Sequence, residues 1–299
     1  MAQIEIGNNG SAKHDDSVRL DSYISGFELD ELIRRALKED MPFGDVTTES
    51  LISSSAVSRA YFEVRTDGVI AGLDIAARVF RLLDEKIAFR KLADDGAHVA
   101  AGFIAAEAEG PTRALLKGER TALNYLQRLS GIATAVDDYC REVAGLPVKV
   151  TDTRKTTPGL RALEKYAVRA GGGHNHRFSL SDGVLIKDNH IKAVGSINKA
   201  IAIAKEKIPH TLKIEVETET LDQVLEALDC GADIIMLDNM DVATMKKAVV
   251  LINGRALVEA SGSIKPEEIK EIALTGVDII SVGRITHSAP ALDISMEII

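Results

Sequence analysis

Tryptophan is absent from this 299-residue sequence, and aromatic residues together make up only 4% of it. The core must therefore be aliphatic, and segments rich in Val, Ile, Leu and Ala suit an α/β fold. No apolar run reaches the roughly 18 residues of a membrane span. The opening stretch, MAQIEIGNNGSAKHDDS, lacks the apolar centre of a signal peptide. Residues 1–22 read instead as a flexible polar arm. Cysteine is scarce. Cys140 and Cys230 show no metal-ligand spacing, and each falls within or at the end of a helical segment. They read as buried free thiols, which fits a reducing cytoplasm. The net charge of −9 argues against a general nucleic-acid binder.

That charge is unevenly spread. Between Arg113 and Lys187 there are 13 Lys/Arg and 7 Asp/Glu, a local +6, so the remainder carries −15. A basic middle in an acidic chain suits either a pocket for a small, highly charged anion or a set of solvated helix faces.

FELDELIRRALKED has the spacing of an amphipathic helix that stops near Met41-Pro42. AYFEVRT and GVIAG read as strands, IAARVFRLLDE as a helix, and KLADDGAHVAAGFIAAEAEG as strands and turns. Together they suggest a small α+β domain. From Arg113 to Val143, Ala122, Leu126, Leu129, Ala133, Val136 and Cys140 recur at steps of three and four, one apolar helical stripe. Gly118 and Gly131 are expected to interrupt it.

From Val148 the rhythm changes to strands alternating with helices. VKVTD, VLIKD, LKIEVE, DIIMLD, ALVEA and VDIISVG are nearly apolar runs that end at Asp152, Lys187, Glu217, Asp238, Glu259 and Gly283. Such alternation implies parallel strands with right-handed crossovers, and the polar ends then converge on one rim, where barrels place their chemistry. Six strands are fewer than eight, so the expected domain, 131–285, is an incomplete α/β barrel.

The rim residues carry several chemistries. Arg154 and Lys155, with Thr153 beside them, put cations and a hydroxyl at a strand end and suit phosphate or carboxylate oxygens; an isolated RK pair is also common in a solvated turn. Gly171-Gly172-Gly173 precedes His174, Asn175, His176 and Arg177, and two histidines at i and i+2 could alternatively ligate a metal. The stretch from Arg154 to Arg177 reads as a loop, and its glycines and charges leave open whether it is ordered before substrate binds. Lys187 could meet an anion or form a Schiff base. Glu217 and Asp238 could bind ribose hydroxyls, hold a hydrated Mg²⁺, stabilise a positive sugar carbon, or simply pair with Lys187. Ser261-Gly262-Ser263 and Gly283 would expose backbone N–H groups where helices begin, a phosphate cradle.

Taken together, GERTALNYLQRLSGIAT, DTRKTTPGLRALEKYAVRAGGGHNHR, LSDGVLIKDNH, IEVE, LDN, EASGSI and GVDIISVG resemble the quinolinate phosphoribosyltransferase family, in family order over residues 25–298. The resemblance implies an N-terminal α/β sandwich (23–130) joined by a C-terminal tail (286–299), the barrel, and a homodimer in which Arg120 reaches the partner's site. It implies phosphoribosyl transfer from phosphoribosyl pyrophosphate to quinolinate with loss of CO2, requiring Mg²⁺ and no organic cofactor. Arg120, Arg154, His176, Arg177 and Lys187 would surround the quinolinate carboxylates. Lys155 would hold the donor, Glu217 and Asp238 the ribose and its metal, and Ser261, Gly262, Ser263 and Gly283 the 5′-phosphate. The family often has Ser-Gly-Gly at the phosphate loop; if the third position requires φ > 0, Ser263 is strained there.

Overall fold

The computed structural model describes residues 18–299. Most of the expected polar arm, residues 1–17, lies outside the described residues. Its last part is not an arm, because Leu20–Ser22 form a 3-10 turn and Leu20 packs against the core.

Helix α1 (Gly26–Asp40) opens with a capping box: Ser25 Oγ accepts from Glu28 N, and Ser25 N donates to the Glu28 carboxylate. It buries Leu29, Ile33 and Leu37, spaced one turn apart. Then follow α2 (Val46–Leu51), β1 (Val57–Val64), β2 (Gly68–Val69), α3 (Leu73–Leu83), β3 (Ala88–Lys91), β4 (His98–Val99) and β5 (Ile104–Pro111). β1, β3 and β5 belong to an antiparallel sheet, and a helical layer covers one of its faces. Phe62, Phe80 and Phe89 meet between sheet and helix, concentrating there a good part of the sparse aromatic content.

Helix α4 (Thr112–Glu142) is continuous. Gly118 and Gly131 do not interrupt it; they are places where other chain comes close. A Cβ on Gly118 would lie 2.7 Å from the Phe80 ring, and one on Gly131 would collide with the carbonyl oxygen of Pro290. A glycine in mid-helix costs up to about 1 kcal/mol relative to alanine, and here that cost is offset by contact that no larger residue would permit.

The second half alternates strand and helix: β6 (Lys149–Thr151), α5 (Arg161–Ala170), β7 (Val184–Ile186), α6 (Asp188–Val194), α7 (Ile197–Lys207), β8 (Ile214–Thr218), α8 (Leu221–Asp229), β9 (Ile234–Asp238), α9 (Val242–Ile252), β10 (Leu257–Ser261), α10 (Pro266–Ala273), β11 (Ile279–Ser281) and α11 (Arg284–His287). The six strands form one parallel sheet in the order β6-β11-β10-β9-β8-β7. Among the described residues β6 and β7 do not pair, so the barrel stays open between them. The last strand, β12 (Ile294–Ile298), leaves this half and pairs antiparallel with β1, giving the first sheet the order β12-β1-β5-β3.

Candidate active site

Strand alternation builds the site. Side chains two apart share a face, so Glu215 and Glu217 of β8, Met236 and Asp238 of β9, and Glu259 and Ser261 of β10 occupy alternate positions on their strands. The register sets Glu217 beside Met236, Met236 beside Glu259, and Asp238 beside Ser261. Asp238 and Ser261 thus stand at the strand ends, with Glu259 one layer below. A cavity of about 510 Å³ opens over these ends. It is lined by Thr153, Arg154, Lys155, His176, Arg177, Lys187, Glu217, Asp238, Glu259, Ser261, Gly262, Ser263 and Gly283, whereas the neighbouring His174 and Asn175 do not line it. Arg120 is not among them; it lies exposed on α4. A larger groove of about 780 Å³ lies on the outer face of the first sheet, away from these groups.

Asp152 does not reach the rim. It is fully buried, taking hydrogen bonds from Lys165 Nζ (2.6 Å), Asn175 Nδ2 (2.8 Å) and His176 N (2.8 Å). Burial pushes its carboxyl up and the Lys165 ammonium down, and each charge is held against that by the other. The pair fastens the Gly-rich segment to β6, where Thr151 and His174 also form a parallel bridge. The stretch 154–177 is accordingly not one loop. Its middle is α5, and Gly171 and Gly173 pack so tightly on Ala133 and Val136 of α4 that a Cβ would not fit.

Arg154, Lys155 and Arg177 make no ion pair among the described residues, and Arg154 Nε is buried without a hydrogen-bond partner. Burial, and then the charge of Arg154, lower the guanidinium pKa of Arg177. Such a cluster is incomplete without an anion. Lys187 Nζ lies 2.7 Å from Glu217 Oε2. It is engaged in an ion pair, unlike the isolated lysine of a Schiff-base site. Burial, followed by the charge of Glu217, raises the pKa of Asp238, whose carboxylate accepts from Asn239 Nδ2 at 2.9 Å.

His176 has other partners than the sequence suggests. Its Nδ1 accepts from Arg177 N at 2.8 Å, so the ring proton sits on Nε2, which faces Glu215 Oε2 at 3.1 Å and Glu259 Oε1 at 3.5 Å. Burial lowers the imidazole pKa, but the hydrogen bond to Glu215 and the two glutamate charges outweigh it, and the net shift is upward. The His174 chain turns aside into the bridge with Thr151, and the groups within ligating reach of His176 Nε2 are Glu215 and Glu259 rather than a second histidine. The sequence reading did not single out Glu215, although the alternation Ile214-Glu215-Val216-Glu217 already puts it on the face of Glu217.

At the Ser261–Ser263 segment, the left-handed backbone falls on Gly262 (φ +142°) and on the neighbouring Asn239 (φ +52°), while Ser263 keeps a negative φ. The expected strain at Ser263 is absent. A Cβ on Gly262 would come within 2.6 Å of Asn239 Oδ1, so glycine is needed for space as well as conformation. Helix α10 starts only at Pro266, so Ser261–Ser263 form a turn ahead of the helix rather than its first turn. Gly283 immediately precedes α11, and the Lys155 side chain lies across it: a Cβ would be 2.8 Å from Lys155 Cδ.

This cavity, with unpaired cations on one wall, carboxylates on another and a glycine turn between, can bind an anion and a phosphorylated sugar together. The family described as quinolinate phosphoribosyl transferase, C-terminal domain, matches residues 132–297, and its N-terminal domain matches 45–130. The chain belongs to the quinolinate phosphoribosyltransferase family. It is 46% identical over 274 residues to a probable nicotinate-nucleotide pyrophosphorylase [carboxylating] of Synechocystis sp., covering 91% of this chain and 92% of that protein. A protein of the same description from Bacillus subtilis is 45% identical, covering 91% and 93%. Among solved structures, NadC from Streptococcus pyogenes superposes with a TM-score of 0.89 at 43% identity, covering 92% of this chain and 97% of that one. In quinolinate phosphoribosyltransferase terms, all the cavity residues fall in the C-terminal part, and Arg120 falls in the N-terminal part.

Proposed function

We propose that this chain transfers the phosphoribosyl group of phosphoribosyl pyrophosphate to quinolinate with decarboxylation, giving nicotinate mononucleotide, pyrophosphate and CO2 in de novo NAD synthesis. The observation that carries the reading is the set of unpaired cations, Arg154, Lys155 and Arg177, facing Glu217 and Asp238 across one cavity in a member of this family. Two anionic substrates repel each other in water. A fixed cationic wall removes that repulsion and aims the pyridine nitrogen at C1 of the ribose. Arg154, Arg177 and Lys187 take the quinolinate carboxylates, with His176 acting through the Arg177 backbone that it fixes. Lys155, lying over Gly283, takes the donor, and Ser261, Gly262, Ser263 and Gly283 take the 5′-phosphate.

The ring nitrogen gives its lone pair to C1 as the bond to pyrophosphate breaks, and the carboxylates of Glu217 and Asp238 face the cation-like carbon. The alkylated nitrogen is positive, so the bond from C2 to its carboxylate can break with the electron pair left on the ring. CO2 departs and a proton joins C2. Glu217 and Asp238 offer the hard oxygen donors that suit Mg²⁺, and the raised pKa of Asp238 is one that a nearby cation would relieve. Because Lys187 already occupies one Glu217 oxygen, contact through water fits best. The chemistry the ion supplies when bound with the donor is screening of the pyrophosphate charge.

Arg120, exposed on α4, completes the site of a second copy in a homodimer. Quinolinate and phosphoribosyl pyrophosphate are the partners of this reading, and nucleic acid is not. Among the described residues no helix is long and apolar enough to cross a membrane. The free cysteines, both half-buried rather than buried, go with a cytoplasmic setting.

The deciding assay supplies phosphoribosyl pyrophosphate, Mg²⁺ and either quinolinate or nicotinate. Nicotinate mononucleotide and CO2 from quinolinate, with little product from nicotinate, is the expected result. Product from nicotinate alone would overturn the substrate assignment.

A further inference from the structure

Buried charge outside the cavity is concentrated behind the segment that carries Arg154 and Lys155. Glu164 on α5 is fully buried and meets Arg128 of α4 at 2.9 Å. Its carboxylate also accepts the Thr157 N–H at 3.1 Å and the Thr157 hydroxyl at 2.7 Å. Arg128 donates in addition to the carbonyl oxygens of Ala289 (3.0 Å) and Thr286. Thr286, itself fully buried, shares its hydroxyl proton between the Lys155 carbonyl oxygen (2.8 Å) and that of Gly283 (3.0 Å).

A buried ion pair is weak evidence for stability, because apolar residues of similar volume often do as well. What this pair does with its remaining capacity is more telling. Its further hydrogen bonds go to Thr157 on one side and to the 286–289 segment on the other. The segment bearing both cations is thereby pinned at two points, Thr157 by Glu164 and Lys155 by Thr286, and Arg128 holds both pins.

We propose that Arg128 and Glu164 are positioning residues for the phosphoribosyl donor: they set the Arg154–Lys155 segment against Gly283, and so fix the distance between the donor's cation and the phosphate turn. This rests on the function proposed above. Neither residue touches substrate.

Thr157→Val removes the hydroxyl half of the link while leaving the ion pair and the Thr157 N–H contact in place. It should lower kcat/KM for phosphoribosyl pyrophosphate about tenfold or more, a larger effect than the modest fall in melting temperature expected from losing a hydrogen bond to a buried charged group. Thr157→Ser, which keeps the hydroxyl, should restore most of it. Donor kcat/KM at the parental level in Thr157→Val, or no rescue by serine, would overturn the proposal. Hydrogen exchange supplies a second arm that needs no substrate: in Glu164→Gln, the amides of Lys155, Thr156 and Thr157 should exchange faster than in the parent. Unchanged exchange in a parent that turns over quinolinate would overturn the clamp itself. A loosened segment in a parent inactive with quinolinate would overturn the reaction, and with it the donor's place here.

Discussion

Glu259 lies below the strand ends with almost no solvent, and burial, followed by the charge of Glu215, pushes its carboxyl up to about 7. In the unfolded chain the same group titrates near 4.5. Between these values the folded protein holds more protons than the unfolded one, so stability falls as pH rises through the window, and the cost is fully present above about 7. A displacement of this size corresponds to something on the order of 3 kcal/mol. Glu259→Gln should therefore unfold at a higher temperature than the parent at pH 8, with the difference shrinking towards pH 4. A difference equal at both pH values would mean that lost contacts, not ionisation, set the cost. His176 is bound to the same pair, so the variant should also disturb how Arg177 is held.

Two glycines separate packing from chemistry at the level of elements. In Gly131→Ala the new methyl would strike the Pro290 carbonyl and come within 2.9 Å of Ala291 Cα. These are backbone atoms that cannot swing aside, and the expected loss is about 1–3 kcal/mol or more. In Gly283→Ala the obstacle is Lys155 Cδ, part of a flexible side chain. Thermal melting should therefore fall clearly in the first variant and little in the second, whereas turnover should fall in the second through displacement of Lys155. Similar melting and activity in both would refute the distinction.

The elements themselves were legible from period. Alternation marked the six parallel strands, and three-four spacing marked α1, α3 and α4. Glu164 and Lys165 were not legible. In RALEKYAVRA they look like a solvated helix face, yet both are fully buried. Their partners, Arg128 and Asp152, lie 36 and 13 residues away, and local pattern cannot see a partner at that range. The continuity of α4 was missed for the same reason, since a glycine that admits a neighbouring backbone reads locally as a break.

For the whole molecule, the cavity residues all come from the half that bears the parallel sheet, while Arg120 lies exposed on α4 and outside the cavity. If Arg120 serves a second copy, Arg120→Ala and Lys187→Ala should each be inactive alone and regain partial activity when mixed, because a hybrid dimer contains one site with both residues. Subunit exchange without recovered turnover would refute sharing. If sharing holds, assembly is a catalytic requirement, and activity should fall on dilution below the dimer dissociation constant.

The pairing of β12 with β1 also has a bearing on biosynthesis. β1 pairs with a strand that follows the whole parallel sheet in the chain, so the first sheet is completed only once those residues have been made. A nascent chain that has not yet extended through residue 298 carries β1 with one edge bare, and bare edges recruit other strands. The first half of the chain therefore cannot complete its sheet until the second half has been synthesised.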